Sequence, residues 1–437
     1  MAHVFPLMHL EQNPMKVDFK VDHIIILFLL TLILFSMAVT NPFHTDESIF
    51  VHTSLFFENT LNLDLSDPVW DVSFYTLCAP MLPRYFIGAS RLIAGYDADQ
   101  VNLPYEIHID YAENLEQGRV PDAGLLYASR VPMVVFAILS LMFYYLLLKQ
   151  AYHWLVGVLF LGLTLANPLI PALLLRAMSE APLMIFFVLT ALACLKAQKD
   201  WLIFSANPQD QKALKRSYLG FILCGVGVGL AASSKINAFA IGFAVAILMV
   251  YLVFFAKSEL EKKDKIKYFV RMGLCVVFAA ILVFIVLNPF LYKDPIVRTA
   301  LFLKYRIQEI DLQVGLVSVE EVIQGNLFQR WAAIFKSLLT DLATIQFKGA
   351  FWLNLALMIA GIASLALRLT SELKQRGRLS LVSIVLVLAS PMVVASFFSP
   401  LWWSRYFYFP TFFLLFTIAI GVWVVLDVVI KWVKRKQ

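Results

Sequence analysis

Two adjacent carboxylates, Asp46 and Glu47, stand in the run Asn41-Pro-Phe-His-Thr-Asp-Glu-Ser, a few residues past the first long apolar segment. Charge is costly in hydrocarbon, so acids this close to lipid must be hydrated, paired or used. Used, they could take a proton from a hydroxyl at the membrane surface. The plainer alternative is a helix start, with Thr45 or Asp46 as N-cap and the acids favoured by the macrodipole. Three further places hold charge where a passive bundle would not. Glu180 opens an apolar segment four residues after Arg176, and a local Arg176–Glu180 pair would explain both. Lys235 is alone in the tip Ser233-Ser-Lys-Ile-Asn237, either snorkelling or facing an anionic headgroup. Arg405 lies within Ser399-Pro-Leu-Trp-Trp-Ser-Arg-Tyr-Phe-Tyr-Phe-Pro410, either as part of an aromatic belt or as a phosphate-binding guanidinium over rings.

The elements that carry these residues are membrane helices. The chain has 437 residues, 60% hydrophobic and only 15% charged, with a mean hydropathy of +0.77. Soluble domains carry about 25% charge. The composition therefore indicates an all-α polytopic integral membrane protein. A span needs about 20 apolar residues. Ten stretches meet or approach that length: roughly 23–40, 130–148, 154–172, 180–197, 217–233, 236–256, 269–288, 349–368, 379–398 and 406–430. Asn167, Pro168 and Pro171 mark a turn between the third and fourth, and Ser233 to Asn237 a turn between the fifth and sixth.

Most of the basic residues, among them Lys16, Lys20, Lys149, the cluster Lys257 to Arg271 and the group Lys431 to Lys436, fall on the same side if the spans alternate. The positive-inside rule makes that side cytoplasmic, with both termini there. The net charge of +6 is then a topology signal and implies no nucleic-acid partner. Acids precede the first apolar run and Asn41-Pro42 follows it, which is no cleavage site, so the first span is expected to be retained. Cys78, Cys194, Cys224 and Cys275 are scattered and form no metal spacing. All four charged places fall on the outer face.

That face also carries the two long polar segments, 41–129 and 289–348, of a single membrane domain spanning 1–437. In the first, Leu82, Tyr85, Phe86, Ala89 and Ile93 form an apolar stripe of helical period, with Arg84 and Arg91 opposite and Pro83 in the first turn. It reads as an interfacial helix. After Glu47, residues Ile49, Thr53, Phe56 and Phe57 share a face in the same way. In the second segment, Trp331, Phe335, Leu338, Leu342 and Ile345 form another stripe, expected to be a lid or an acceptor-binding element.

The order of these motifs resembles the GT-C glycosyltransferases, particularly the branch of protein O-mannosyltransferases and lipid A aminoarabinose transferases. The matching residues are Asp46-Glu47, the proline-containing stretch Ala79 to Tyr85, Arg130-Val-Pro132, Glu180, the glycines Gly225, Gly227 and Gly229 before Lys235, and Arg405-Tyr406 before Pro410. Glu180 stands where the family more often has Asp. The chain is expected to lack the soluble C-terminal domain that many members carry, which would leave acceptor recognition to the loops, above all 289–348.

The resemblance implies a GT-C-like fold and transfer of a sugar from a polyprenyl-phosphate-linked donor to a hydroxyl acceptor, with inversion. Asp46 would be the general base, Glu47 would orient the acceptor or the base, and Glu180 completes the catalytic set. Lys235, Arg405, Arg84 and Tyr406 would hold the donor phosphate. Asp46, Glu180 and a phosphate oxygen could ligate Mg²⁺ or Mn²⁺, although two bases can do the same electrostatic work without a metal. The acceptor is a lipid, glycan or protein hydroxyl. Compact loops favour a bacterial inner membrane with a periplasmic site. The competing readings are a lipid or small-molecule transporter or flippase, and a non-catalytic membrane subunit. A transporter would place ionisable groups near the midplane, whereas here the deep acid Asp427 has Lys431 four residues on.

Overall fold

Helices of membrane length follow from the apolar stretches, because backbone groups in lipid have no partner but each other. The computed structural model describes residues 21–316 and 321–436, so Lys16 and Lys20 lie outside the described residues. Helices of seven or more residues are, in order, α1 (Val21–Thr40), α2 (Thr45–His52), α3 (Leu82–Ile93), α4 (Ala123–Ala151), α5 (Trp154–Leu165), α6 (Leu169–Leu175), α7 (Glu180–Ala206), α8 (Gln211–Ser234), α9 (Ile236–Phe255), α10 (Lys262–Val286), α11 (Pro295–Leu316), α12 (Leu327–Leu339), α13 (Ala350–Gln375), α14 (Leu381–Ser396) and α15 (Tyr408–Lys436). Among the described residues eight are long and apolar enough to cross a membrane: α1, α4, α7, α8, α9, α10, α13 and α15 with its leading turn.

The two remaining stretches differ from the expectation of ten plain spans. The third is broken, with α5 and α6 meeting at 79°. Asn167 causes the break by capping a new helix, its Oδ1 accepting from the Leu169 and Ile170 amides at 3.0 Å. The Asn167-Pro168 turn is therefore inside the third stretch, and the turn before α7 lies at Arg176–Ser179. The ninth, α14, has 16 residues with Pro391 inside it.

The alternation of helices brings the C-termini of α1 and α8 and the N-termini of α4, α7 and α15 to one end. The opposite end is tied by Lys149 to Asp22, by Asp200 to Arg216 (3.2 Å), and by Arg368 to the Ala151 carbonyl (3.0 Å). The glycine-rich α8 is wedged between two neighbours. A Cβ on Gly227 would lie 2.3 Å from Thr190 Oγ1 of α7, and one on Gly225 would lie 2.4 Å from the Val276 carbonyl of α10. Small residues permit such backbone approach in membranes. The wedge delivers Lys235, at the end of α8, to Glu180, at the start of α7.

The helix α3 has the expected bounds but not the expected setting. Arg84 and Arg91 face the protein interior and are fully buried, while Ile93 of the apolar stripe is 88% exposed. Arg91 pairs with Glu58 at 2.5 Å, and the Arg84 guanidinium lies 5.4 Å from the Phe56 ring and 5.9 Å from the Phe50 ring. Their charge is therefore met inside the first outer segment. The stripe of the second outer segment begins on α12, where Leu338 is buried; Leu342 and Ile345 lie past its end.

Candidate active site

The site begins where α1 ends. Asn41-Pro42 turns the chain, and the Asn41 amide donates to the Ala172 carbonyl of α6 at 3.0 Å. His44, not Thr45 or Asp46, is the N-cap of α2. Its Nδ1 accepts from the Asp46 amide at 3.2 Å, and Glu47 reaches back to accept from the His44 amide at 3.1 Å. This is a capping box with histidine in the place usually held by Ser or Thr.

The box turns the two acids in different directions. Glu47 is fully buried. Its carboxylate accepts from Arg130 Nε at 2.8 Å and Nη2 at 2.7 Å, and from the Ala177 amide at 2.8 Å. The rest of the Arg130 guanidinium donates to the carbonyls of Ala38, Asn41 and Pro42 at 2.7–3.2 Å. One ion pair thus joins the end of α1, the cap of α2, the head of α4 and the turn before α7. The expectation that Glu47 orients the acceptor or the base is narrowed: the carboxylate is enclosed and fully engaged, and what it positions is protein, the α2 cap that carries Asp46 included.

Asp46 is partly exposed and forms an ion pair with Arg405. Arg405 sits on the turn Ser404–Phe407, its guanidinium 4.5 Å from the Trp403 ring and 5.5 Å from the Tyr406 ring. Those rings are near-parallel, at 9°, with centroids 6.0 Å apart. The Tyr406 hydroxyl donates to Gln313 Oε1 of α11 at 3.4 Å, so it is joined to the second outer segment. Glu180 is 1% exposed and accepts from Lys235 Nζ at 2.7 Å; the local pair with Arg176 does not form. His44 stands beside the first pair, its Nδ1 3.8 Å from Asp46 Oδ2. Burial, with Arg176 and then Arg405 nearby, pushes its pKa down to about 4, against the smaller opposing effect of Glu180. The imidazole is neutral at physiological pH, as an Nδ1 that accepts a hydrogen bond requires.

Asp46–Arg405 and Glu180–Lys235 are thus two ion pairs at one end of the bundle, with His44 3.8 Å from Asp46 and within electrostatic reach of Arg405 and Glu180. Arg84 does not join them, which corrects its expected place at the donor phosphate. Its guanidinium is buried against aromatic rings and donates to the Tyr75 carbonyl (2.5 Å), Cys78 Sγ (3.1 Å) and Met81 Sδ (3.4 Å). The Mg²⁺ or Mn²⁺ site left open by the sequence is not preformed in the resting side chains. Asp46 and Glu180 each carry a cationic partner, and no three His, Cys, Asp or Glu side chains gather among the described residues.

The second outer segment is fastened to the strap that bears Arg405. The Trp402 amide donates to the Glu321 carbonyl and the Ile323 amide to the Pro400 carbonyl, both at 2.9 Å. Trp403 Nε1 donates to Glu321 Oε2 at 2.8 Å, and Arg330 Nη2 to the Ser399 carbonyl at 3.1 Å. Beside the strap is an apolar groove of about 370 Å³ between α12 and the end of α14, lined by Phe328, Trp331, Phe335, Val394, Phe397 and Phe398.

Comparisons with known proteins agree with this architecture. Over residues 103–296 the chain matches the family described as dolichyl-phosphate-mannose-protein mannosyltransferase. That stretch contains Arg130, Glu180 and Lys235 but neither Asp46 nor Arg405. The crystal structure of an Archaeoglobus fulgidus oligosaccharyltransferase tethered to an acceptor peptide superposes with a TM-score of 0.50 at 13% identity, covering 94% of this chain and 50% of that one. The fold is GT-C-like.

Two further solved structures align less closely. They are the archaeal AglB from A. fulgidus with an inhibitory peptide and a dolichol-phosphate (TM-score 0.49, 14% identity, 93% and 51% of the two chains), and the S. cerevisiae Pmt1-Pmt2 complex bound to the sugar donor (0.42, 13%, 63% and 34%). This chain spans about half the length of the archaeal chains. No curated protein sequence matches it. It is an integral membrane protein, and the resemblance drawn from the order of its motifs holds for the fold and for the sequence of its middle portion.

The sequence alone placed Arg130 only as the opening of a span, not as the partner of Glu47. A signal was present for the cap, because His44 and Glu47 have the spacing of a capping box. Gln313 and Glu321, which join the second outer segment to the Arg405 strap, had no sequence signal.

Proposed function

We propose that this chain is a membrane glycosyltransferase that moves a sugar from a polyprenyl-phosphate-linked donor to a hydroxyl acceptor on the outer, periplasmic face. The observation that carries the reading is that the ion pairs Asp46–Arg405 and Glu180–Lys235 share one end of the bundle with a neutral His44, where α1 and α8 finish and α4, α7 and α15 begin. Asp46 is the partly exposed acid of the set, so it is the one an acceptor can reach. Its carboxylate takes the acceptor hydroxyl proton as that oxygen bonds to the anomeric carbon. The bond from that carbon to the phosphate oxygen breaks, and polyprenyl phosphate leaves with the electron pair. Direct attack inverts the carbon.

Negative charge grows on the leaving phosphate, and Lys235 and Arg405 are cations placed to meet it. Both rest on carboxylates, so each exchanges an acid for the phosphate as the donor enters. The guanidinium of Arg405, 4.5 Å from the Trp403 ring and 5.5 Å from the Tyr406 ring, suits that task. Glu180 holds Lys235 in the resting state. The donor's isoprenoid tail lies along the apolar groove between α12 and α14, and the second outer segment receives the acceptor. The location of the charges at one end, away from the bilayer midplane, favours transfer over transport.

The test uses the purified protein with a panel of polyprenyl-phosphate sugars. At least one sugar is expected to raise the melting temperature and, with an acceptor, to release polyprenyl phosphate. Asp46→Asn should keep the donor-dependent stabilisation and lower turnover by about 10²–10⁴-fold, the usual contribution of a positioned base. Full turnover in that variant removes Asp46 as the base, and a panel without any stabilising donor overturns the transferase reading.

A further inference from the structure

Four cations lie in or beside the site, and three of them are paired: Arg130 with Glu47, Lys235 with Glu180 and Arg405 with Asp46. The fourth is Arg176. Among the described residues its side chain makes no hydrogen bond and no ion pair, and its Nε is shielded from solvent without a partner. It is half-buried, so a ligand can reach it while water solvates it poorly.

Its position is set from both sides. It follows the last turn of α6, and the next residue, Ala177, donates its amide to the enclosed Glu47 carboxylate at 2.8 Å. The Met178 amide closes the turn on the Arg176 carbonyl at 2.7 Å. The guanidinium is within electrostatic reach of Glu47, Arg130 and Glu180 without bonding to any of them, and of His44, whose protonation it opposes. With His44 neutral, three acids face four bases, and the surplus positive charge is Arg176. A buried or half-buried guanidinium without an anion is an unsatisfied site, since its donors match a phosphate in fork geometry.

We propose that Arg176 is the primary contact for the phosphate of the lipid-linked ligand, filling an anion position that the resting protein leaves open. This rests on the transferase reading and changes its order of events. Lys235 and Arg405 must release carboxylates before they can bind phosphate, whereas Arg176 releases nothing. The phosphate therefore docks on Arg176 first, and the paired cations join as negative charge develops. Glu47 acquires a purpose in the same scheme, because through Ala177 it fixes the turn from which Arg176 projects.

The test measures binding of farnesyl phosphate, farnesol and inorganic phosphate to the detergent-solubilised full chain by thermal stabilisation. Wild type is expected to prefer farnesyl phosphate over farnesol by about tenfold or more, the scale of a hydrogen bond to a charged group. Arg176→Gln should abolish most of that preference while leaving farnesol binding unchanged. An Arg176→Gln protein that keeps the full preference overturns the assignment and leaves the transferase reading standing. A wild type without any phosphate preference overturns both. If inorganic phosphate alone matches farnesyl phosphate, the site belongs to the free ion and the lipid assignment fails. Should Arg176→Gln not purify folded, Arg176→Lys decides: a severalfold loss of preference supports the two-point guanidinium contact, and no loss overturns it.

Discussion

Asp46 and Glu47 are neighbours in sequence with opposite surroundings, and the histidine before them makes the difference. A helix N-cap points its next residues around the axis at about 100° per step. Capping by His44 aims Glu47 inward to Arg130 and leaves Asp46 at the surface beside Arg405. The cap works only with an unprotonated Nδ1, which links it to pH. The His44 pKa is about 4 in the folded protein against an ordinary 6.5. Between those values the unfolded chain binds a proton that the folded chain refuses, so stability is lost as pH falls from 6.5 towards 4. Asn is a good N-cap with no titrating group. His44→Asn is therefore expected to match wild type within about 1 kcal/mol at pH 7.5 and to melt higher than wild type at pH 5. Melting temperatures across pH 4.5–8 in detergent check this, and parallel curves for the two proteins would refute it. The acids and isolated bases of the site were legible as unusual charges near lipid. Their pairing was not, because Glu47 and Arg130 are 83 residues apart and no local pattern couples them.

At the scale of elements, α8 shows why the glycines before Lys235 matter. Gly220 and Gly227 face α7, while Gly225 and Gly229 face α10, each so close that a methyl group would fall 2.3–2.7 Å from a neighbouring atom. The contact at Gly225 is with backbone, which cannot swing aside. Gly242 of α9 offers a control, since its nearest neighbour would lie 3.7 Å away. Gly225→Ala is expected to cost roughly 1–3 kcal/mol, the usual price of overpacking, and to loosen the Glu180–Lys235 contact by spreading α7, α8 and α10. Gly242→Ala should leave stability within about 0.5 kcal/mol. Thermal unfolding in detergent measures both, and equal effects of the two substitutions would refute the wedge. The helices themselves were readable from apolar length, and α3 even from its stripe. The setting of α3 was not readable, because two arginines on one face signal solvent unless Glu58, Phe50 and Phe56 are known to meet them. The bend at Asn167 was visible as a turn, yet only its capping bonds place it within one apolar stretch.

The whole molecule has two chemically distinct ends, and the contacts fix which segments share each. At one end the Lys257 amide donates to the Arg376 carbonyl, the Glu259 amide to the Ser205 carbonyl, and Gln198 to the Leu379 carbonyl, all at 2.8 Å. These tie together the loops after α7, α9 and α13, the ones rich in Lys and Arg. At the other end are Asp46, Glu180, Lys235, Arg405 and the two long polar segments. The bent α5–α6 pair counts as one crossing in this arrangement, since α7 otherwise could not start beside α2. If the positive-inside rule holds for this chain, the first end faces the cytoplasm, and labelling tests it. In a background with the four native cysteines replaced, single cysteines at the exposed positions Ser66 and Lys348 should react with a membrane-impermeant maleimide on spheroplasts. Cysteines at Gln209 and Gln375, also exposed, should react only after the membrane is opened. The reverse pattern would put the proposed base on the cytoplasmic side and exclude a periplasmic acceptor. Labelling of Ser66 and Gln209 from the same side would break the alternation of spans, and with it the convergence of charges on which the transferase reading depends.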